Sequence, residues 1–141
     1  MNRNVFLGTI AALMSLAFLE GCSEDPALGV ANIIIVDDQR IQNDAVVIRY
    51  LGVGLDQGWI AIYRNGDNGG PNMSERLGLV AVTYGYIDDF VVALDRSATP
   101  GDTLWVIMHN DRGVAGAFEY GPSDSTDYVL PPQQRFFTVL P

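Results

Sequence analysis

Apolar side chains in this chain recur at every second position, in short runs separated by glycine, proline, asparagine and aspartate. A period of two turns successive side chains to opposite faces, which is the geometry of a strand and not of a helix. Residues 45–53 place Val46, Ile48 and Tyr50 on one parity and Val47, Arg49 and Leu51 on the other. Residues 59–64 set Ile60 and Ile62 against Trp59, Ala61 and Tyr63. Similar β-branched and aromatic runs cover 32–36, 77–84, 88–94, 103–109 and 135–140, with 128–130 as a further short strand. Between them lie Gly52-Val53-Gly54, 65–71, Gly85, 97–101, 113–116 and Gly121-Pro122, which read as turns. This pattern predicts an all-β fold over residues 32–141, an antiparallel seven- to eight-stranded Ig-like or Greek-key sandwich. No helix is expected after residue 25. Pro131-Pro132 denies two amide donors to a neighbour and suits a sheet edge.

The N-terminus has a different character. Met1-Asn2-Arg3-Asn4 carries one positive side chain, and residues 5–19 are apolar but for Gly8, Thr9 and Ser15. A short basic head and an apolar stretch of that length are parts of a secretory signal. The stretch falls short of the roughly 18 residues expected of a spanning helix. It ends in Leu19-Glu20-Gly21-Cys22, which resembles the lipobox of bacterial lipoproteins. Leu19 and Gly21 fit that pattern; Glu20 sits where small or apolar residues are usual. The resemblance implies cleavage before Cys22, with acyl chains on its sulfur and on the new amino group. Several acyl chains hold a protein to a membrane far more firmly than one. Ser23 after the cysteine is similar to the outer-membrane sorting signal of Gram-negative lipoproteins. Residues 1–21 are thus expected as a signal peptide and 22–31 as a tether, with Pro26 keeping the tether out of a helix.

Removing 21 residues from 141 leaves 120, enough for one domain with one core. The charge is −9, and all eight cations are arginines. Such a surface repels nucleic acid and anionic headgroups, and a chain without lysine cannot form a P-loop. Acidity of this kind speaks first to solubility.

Few residues could carry chemistry. Cys22 and His109 are single, so neither a blue-copper centre nor a zinc site has enough ligands. His109 is the one candidate general base, yet no Gly-x-Ser-x-Gly or His-Glu-x-x-His accompanies it. Asp88 and Asp89 are adjacent, and neighbours in a strand face opposite ways, so they would not share a proton. No catalytic residue is expected. Calcium is the ion the oxygen ligands could serve, and the candidates are Asp111, Glu119 and Asp124. The acids of that loop, Asp127 included, follow no known ligand spacing. Asn65-x-Asp67-x-Gly69-Gly70 is a fainter candidate, since the twelfth position is Arg76. Trp59, Trp105, Tyr84 and Tyr86 are read chiefly as half-buried packing rather than as a binding face.

The glycines of 113–116 leave that loop with little to hold it. His109, Asp111 and Glu119 are the nearest groups able to bridge backbone atoms as a clamp. Phe118 or Tyr120 is expected to plug the end of the sandwich.

Three segments carry a resemblance: Val36-Asp37-Asp38-Gln39; Gly58-Trp59-Ile60-Ala61-Ile62-Tyr63; and 104–120, with His109-Asn110-Asp111, Gly113, Gly116 and Phe118-Glu119-Tyr120. In this order the chain resembles an uncharacterised β-sandwich domain of haloarchaeal surface glycoproteins and bacterial secreted proteins. The resemblance implies an extracytoplasmic β domain and supplies no mechanism. The expectation is a lipid-anchored cell-envelope protein, on the outer membrane if the cell is Gram-negative. Its domain would be non-enzymatic, structural or recognising an envelope protein or glycan, with no nucleic-acid partner. The alternative is a calcium-binding extracytoplasmic module.

Overall fold

A computed structural model describes residues 29–121, 124–127, 129 and 133–141. The signal expected over 1–21, Cys22 and the tether up to residue 28 lie outside the described residues. The short strand expected at 128–130 also lies outside them except for Val129, which is not in a strand.

The described chain is all-β and antiparallel, without a helix. Strand β1 is Ile33–Ile35, β2 is Ala45–Asn65, β3 is Pro71–Ala93 and β4 is Thr103–Asn110; Tyr120–Gly121, Asp124–Ser125 and Gln134–Thr138 form β5, β6 and β7. One edge of β2 pairs with β3 along its length. The other edge pairs first with β1 at residues 50–52 and then with β4 at 58–64; β7 lies beyond β4. β5 and β6 make a separate two-stranded ribbon.

Two pairs of expected strands are therefore two continuous strands, of 21 and 23 residues. The misleading signals were glycines. Gly52-Val53-Gly54 runs straight through β2, where the incoming segment crosses it. A β-carbon at Gly52 would stand 2.6 Å from the Ala31 carbonyl oxygen, and one at Gly54 would strike the Val30 carbonyl. The Asn32 side chain accepts from the Gly54 amide at 2.7 Å, and the Val30 amide donates to the Tyr84 hydroxyl at 3.1 Å. Glycine is needed here for close approach, not for a turn. Gly85 lies inside β3 at φ 144°, opposite the register shift between Val53 and Gln57. These irregularities bend the long ribbon.

The bend curls the sheet upon itself. The Asp95 amide donates to the Leu77 carbonyl at 2.7 Å, so the end of β3 closes on its own first half. On the far side, Gln39 bridges Val139, and Asp38 Oδ1 accepts from the Thr138 amide at 2.7 Å. One core results, drawn from both halves of the ribbon: Ile34, Val46, Ile48, Leu51, Val53, Ile60, Ile62, Leu77, Val82 and Val92, with Leu104, Val106, Met108, Phe137 and Val139. Each such aliphatic side chain contributes about 1.5–3 kcal/mol on burial. The alternation expected over 45–53 changes phase midway: Val46 and Ile48 are inside, then Leu51 and Val53. The change falls opposite Asp89, which sits at φ 49°. It leaves Tyr50 stacked on Tyr86 at 5.6 Å. Tyr86 and Tyr84 are exposed, not half-buried as expected. Trp59 and Trp105 are half-buried.

Candidate functional site

Strand β4 carries one set of side chains inward and another outward. Leu104, Val106 and Met108 enter the main core. Trp105 and Ile107 face the opposite side, where they join Ala61 and Tyr63 of β2 in a second apolar cluster. His109 shares that parity, and β2 and β4 are in register with Trp59 opposite His109 and Ala61 opposite Ile107. The outer face would be open were it not for the connection between β4 and β7. That connection folds back over it, and Phe118 and Val129 pack down on the cluster.

His109 is fully buried at the centre of this second layer. Its Nδ1 lies 3.0 Å from the Asp127 carbonyl oxygen, which can only accept. Nδ1 therefore carries the proton, and Nε2 accepts from the Tyr63 hydroxyl at 3.2 Å. Burial pushes the imidazole down to about 4, against the opposing pull of the Asp127 carbonyl and carboxylate. Burial likewise pushes the Tyr63 phenol up, with the Arg76 charge opposing and Tyr120 adding to the rise. Both groups are neutral at pH 7. Three rings wall the imidazole: Tyr120 at 4.4 Å, Phe118 edge-on at 5.1 Å and Tyr63 at 5.9 Å.

The loop beside it is held by carboxylates. Asp127 is fully buried and accepts from the amides of Arg112 at 3.0 Å, Gly113 at 3.4 Å and Glu119 at 2.7 Å. Glu119 Oε2 accepts from the Val114 amide at 2.5 Å, and Asp111 Oδ2 from the Gly116 amide at 2.8 Å. A β-carbon on Gly113 would run into the Glu119 carboxylate, and Gly116 sits at φ 79°. Position 116 thus favours glycine for its backbone conformation, whereas a side chain at Gly113 would displace the Glu119 carboxylate from the Val114 amide.

Asp111, Glu119 and Phe118 come together here with His109. Asp111 and Glu119 reach the glycine loop itself; His109 instead ties β4 to residue 127. Asp124 lies in β6 opposite Gly121, and its side chain lies outside the described atoms. Among the described residues, no group of three or more His, Cys, Asp and Glu side chains is placed to hold a metal ion. Asp127 and Tyr63 carry more of the arrangement than sequence reasoning assigned them. Tyr63 could have been found from its shared parity with Trp59 and Ala61. Asp127 stands in Ser-Thr-Asp, where no spacing marks it. With both ring nitrogens engaged and the carboxylates turned to amides, the block is built to join β4 to the covering connection.

An antiparallel, curled β domain with one long connection pinned across its outer face is the class that these observations define. The chain belongs to a family described as a domain of unknown function (DUF7282), matched over residues 32–134. The match spans the whole His109 block. No characterised protein and no solved structure matches the chain.

Proposed function

We propose that this is a lipid-anchored cell-envelope protein whose domain serves in structure or recognition rather than catalysis. The single observation that carries the non-catalytic half is His109: the one candidate base is fully buried with both nitrogens bonded within the protein. A base must reach a substrate proton, and this one faces only its own chain. The same reading takes the two halves of the curled sheet as the layers of an Ig-like sandwich, akin to the surface domains the sequence resembles. The anchor rests on the leader and on Leu19-Glu20-Gly21-Cys22. Acylated Cys22 would hold the domain at the envelope, on the outer membrane in a Gram-negative cell, close to a protein or glycan partner. Fractionation tests the anchor. Cys22→Ala should move the chain from the membrane to the soluble fraction. A variant that remains uncut and membrane-bound would refute acylation in favour of an uncleaved apolar anchor.

One observation favours calcium binding as a second reading. Among the described residues Asp111 Oδ1 is enclosed without a hydrogen-bond partner, next to a loop that already gathers Glu119 and Asp127. A ligand that binds only the folded state raises its stability. The melting temperature should then rise in millimolar calcium, and Asp111→Asn with Glu119→Gln should abolish the rise. An unchanged melt in the parent chain removes this reading.

A further inference from the structure

Beside the His109 block lies a cavity of about 300 Å³ whose lining includes Arg76, Arg96, Asp95, Ser74, Tyr63 and Tyr120. The curl of the sheet makes it. Ser74 and Arg76 belong to the first half of β3, whereas Asp95 and Arg96 follow its end. The Asp95 amide bond to the Leu77 carbonyl draws the two together.

The cations are the unusual part. This chain has eight arginines against 17 acids. Arg49 pairs with Asp37, and Arg64 with Asp102 and Glu75. Arg76 and Arg96 share one cavity, and neither forms an ion pair with a described residue. Arg76 is half-buried, its guanidinium lying 5.2 Å from the centre of the Phe118 ring. Its Nε is enclosed and has no acceptor among the described residues. A planar guanidinium locked on an aromatic face is a ready receptor for a planar oxyanion.

We propose that this cavity binds a sugar acid: a carboxylate on a hydroxylated, monosaccharide-sized ring. The two arginines would take the carboxylate. Asp95 argues for the rest of the ligand. Its carboxylate in the same cavity repels a dianion such as phosphate but accepts from hydroxyl groups, as the Ser74 and Tyr120 hydroxyls also can. The site extends the recognition role proposed above without depending on the anchor. Loss of acylation would leave it intact, and loss of sugar binding would leave the Cys22 reading intact.

Calorimetric titration of the purified full-length chain tests this with galacturonate, glucuronate, galactose, acetate and inorganic phosphate. At least one uronate should bind saturably, more tightly than galactose or acetate and more tightly than phosphate. Arg96→Gln and Arg76→Gln should each weaken it roughly tenfold, the scale of one charge-assisted bond. Arg96 is exposed, so Arg96→Gln should melt like the parent chain and separate binding from folding. Asp95→Asn should narrow the preference for uronate over phosphate. Saturable binding of neither uronate up to about 10 mM, a limit near the weakest useful affinity, overturns the proposal. So does equal binding of galactose, tighter binding of phosphate, or affinity indifferent to Arg96→Gln.

Discussion

Lowering the pH from 8 to 5 should weaken this domain through one imidazole. His109 is held down to about 4 in the folded chain, chiefly by burial, against an ordinary value near 6.5. Below 6.5 the unfolded chain therefore binds a proton that the folded chain refuses. Stability from this group is complete above pH 6.5 and is lost as the pH falls toward 4. The gap of about 2.5 pH units corresponds to roughly 3 kcal/mol in full, of which about 2 kcal/mol is gone by pH 5. Carboxylates titrate mostly below that window, so the difference in slope between the parent and a histidine-free variant from pH 8 to 5 reports the histidine. Urea unfolding at each pH measures the slope. His109→Phe supplies the control: it should be less stable at pH 8, since Tyr63 and the Asp127 carbonyl lose their partner, but nearly flat from 8 to 5. His109 is the only histidine, so its ring-proton resonance can be followed by NMR without ambiguity. A resonance that titrates near 6.5, or equal pH slopes in parent and variant, would refute the buried, doubly bonded imidazole.

Asp127→Ala should cost about 3 kcal/mol, because it strands the amides of Arg112, Gly113 and Glu119. Asp127→Asn keeps one acceptor oxygen and should cost less. Hydrogen exchange of the Glu119 amide should quicken in both variants, and unchanged exchange would remove Asp127 from its place as the loop's anchor. Gly52→Ala should lower stability by about 1–3 kcal/mol, since the added methyl meets the Ala31 carbonyl and the Tyr86 ring. A melt equal to the parent's would show that residues 30–32 do not cross β2 as described.

Much of the site's framework was legible in the sequence. The alternation of Ile60 and Ile62 against Trp59, Ala61 and Tyr63 gives the two faces of β2 correctly. His109 and the glycine loop were legible as a block, because a loop so poor in side chains needs outside support. The roles of Asp127 and Tyr63 were not. Tyr63 reaches His109 from a strand 46 residues earlier, and only the β2–β4 register brings them to 3.2 Å. Asp127 acts through three amides whose positions exist only once the connection has folded over β4.

Glycine marks the boundary between the two kinds of information. By itself the sequence determined that the chain pairs as strands, since a period of two buries one face and no helix can satisfy it. It also determined where apolar side chains accumulate. It could not say whether a glycine marks a turn or a crossing, because the residue is the same in both. At Gly69 and Gly101 it turns the chain with positive φ; at Gly52 and Gly54 it admits another backbone. Only the tertiary structure, by laying residues 30–32 across β2 and closing Asp95 onto Leu77, made two long bent strands out of four short ones. That same closure set Arg76 beside Arg96, because contact across a curled sheet depends on the path of the backbone and leaves no trace in local spacing.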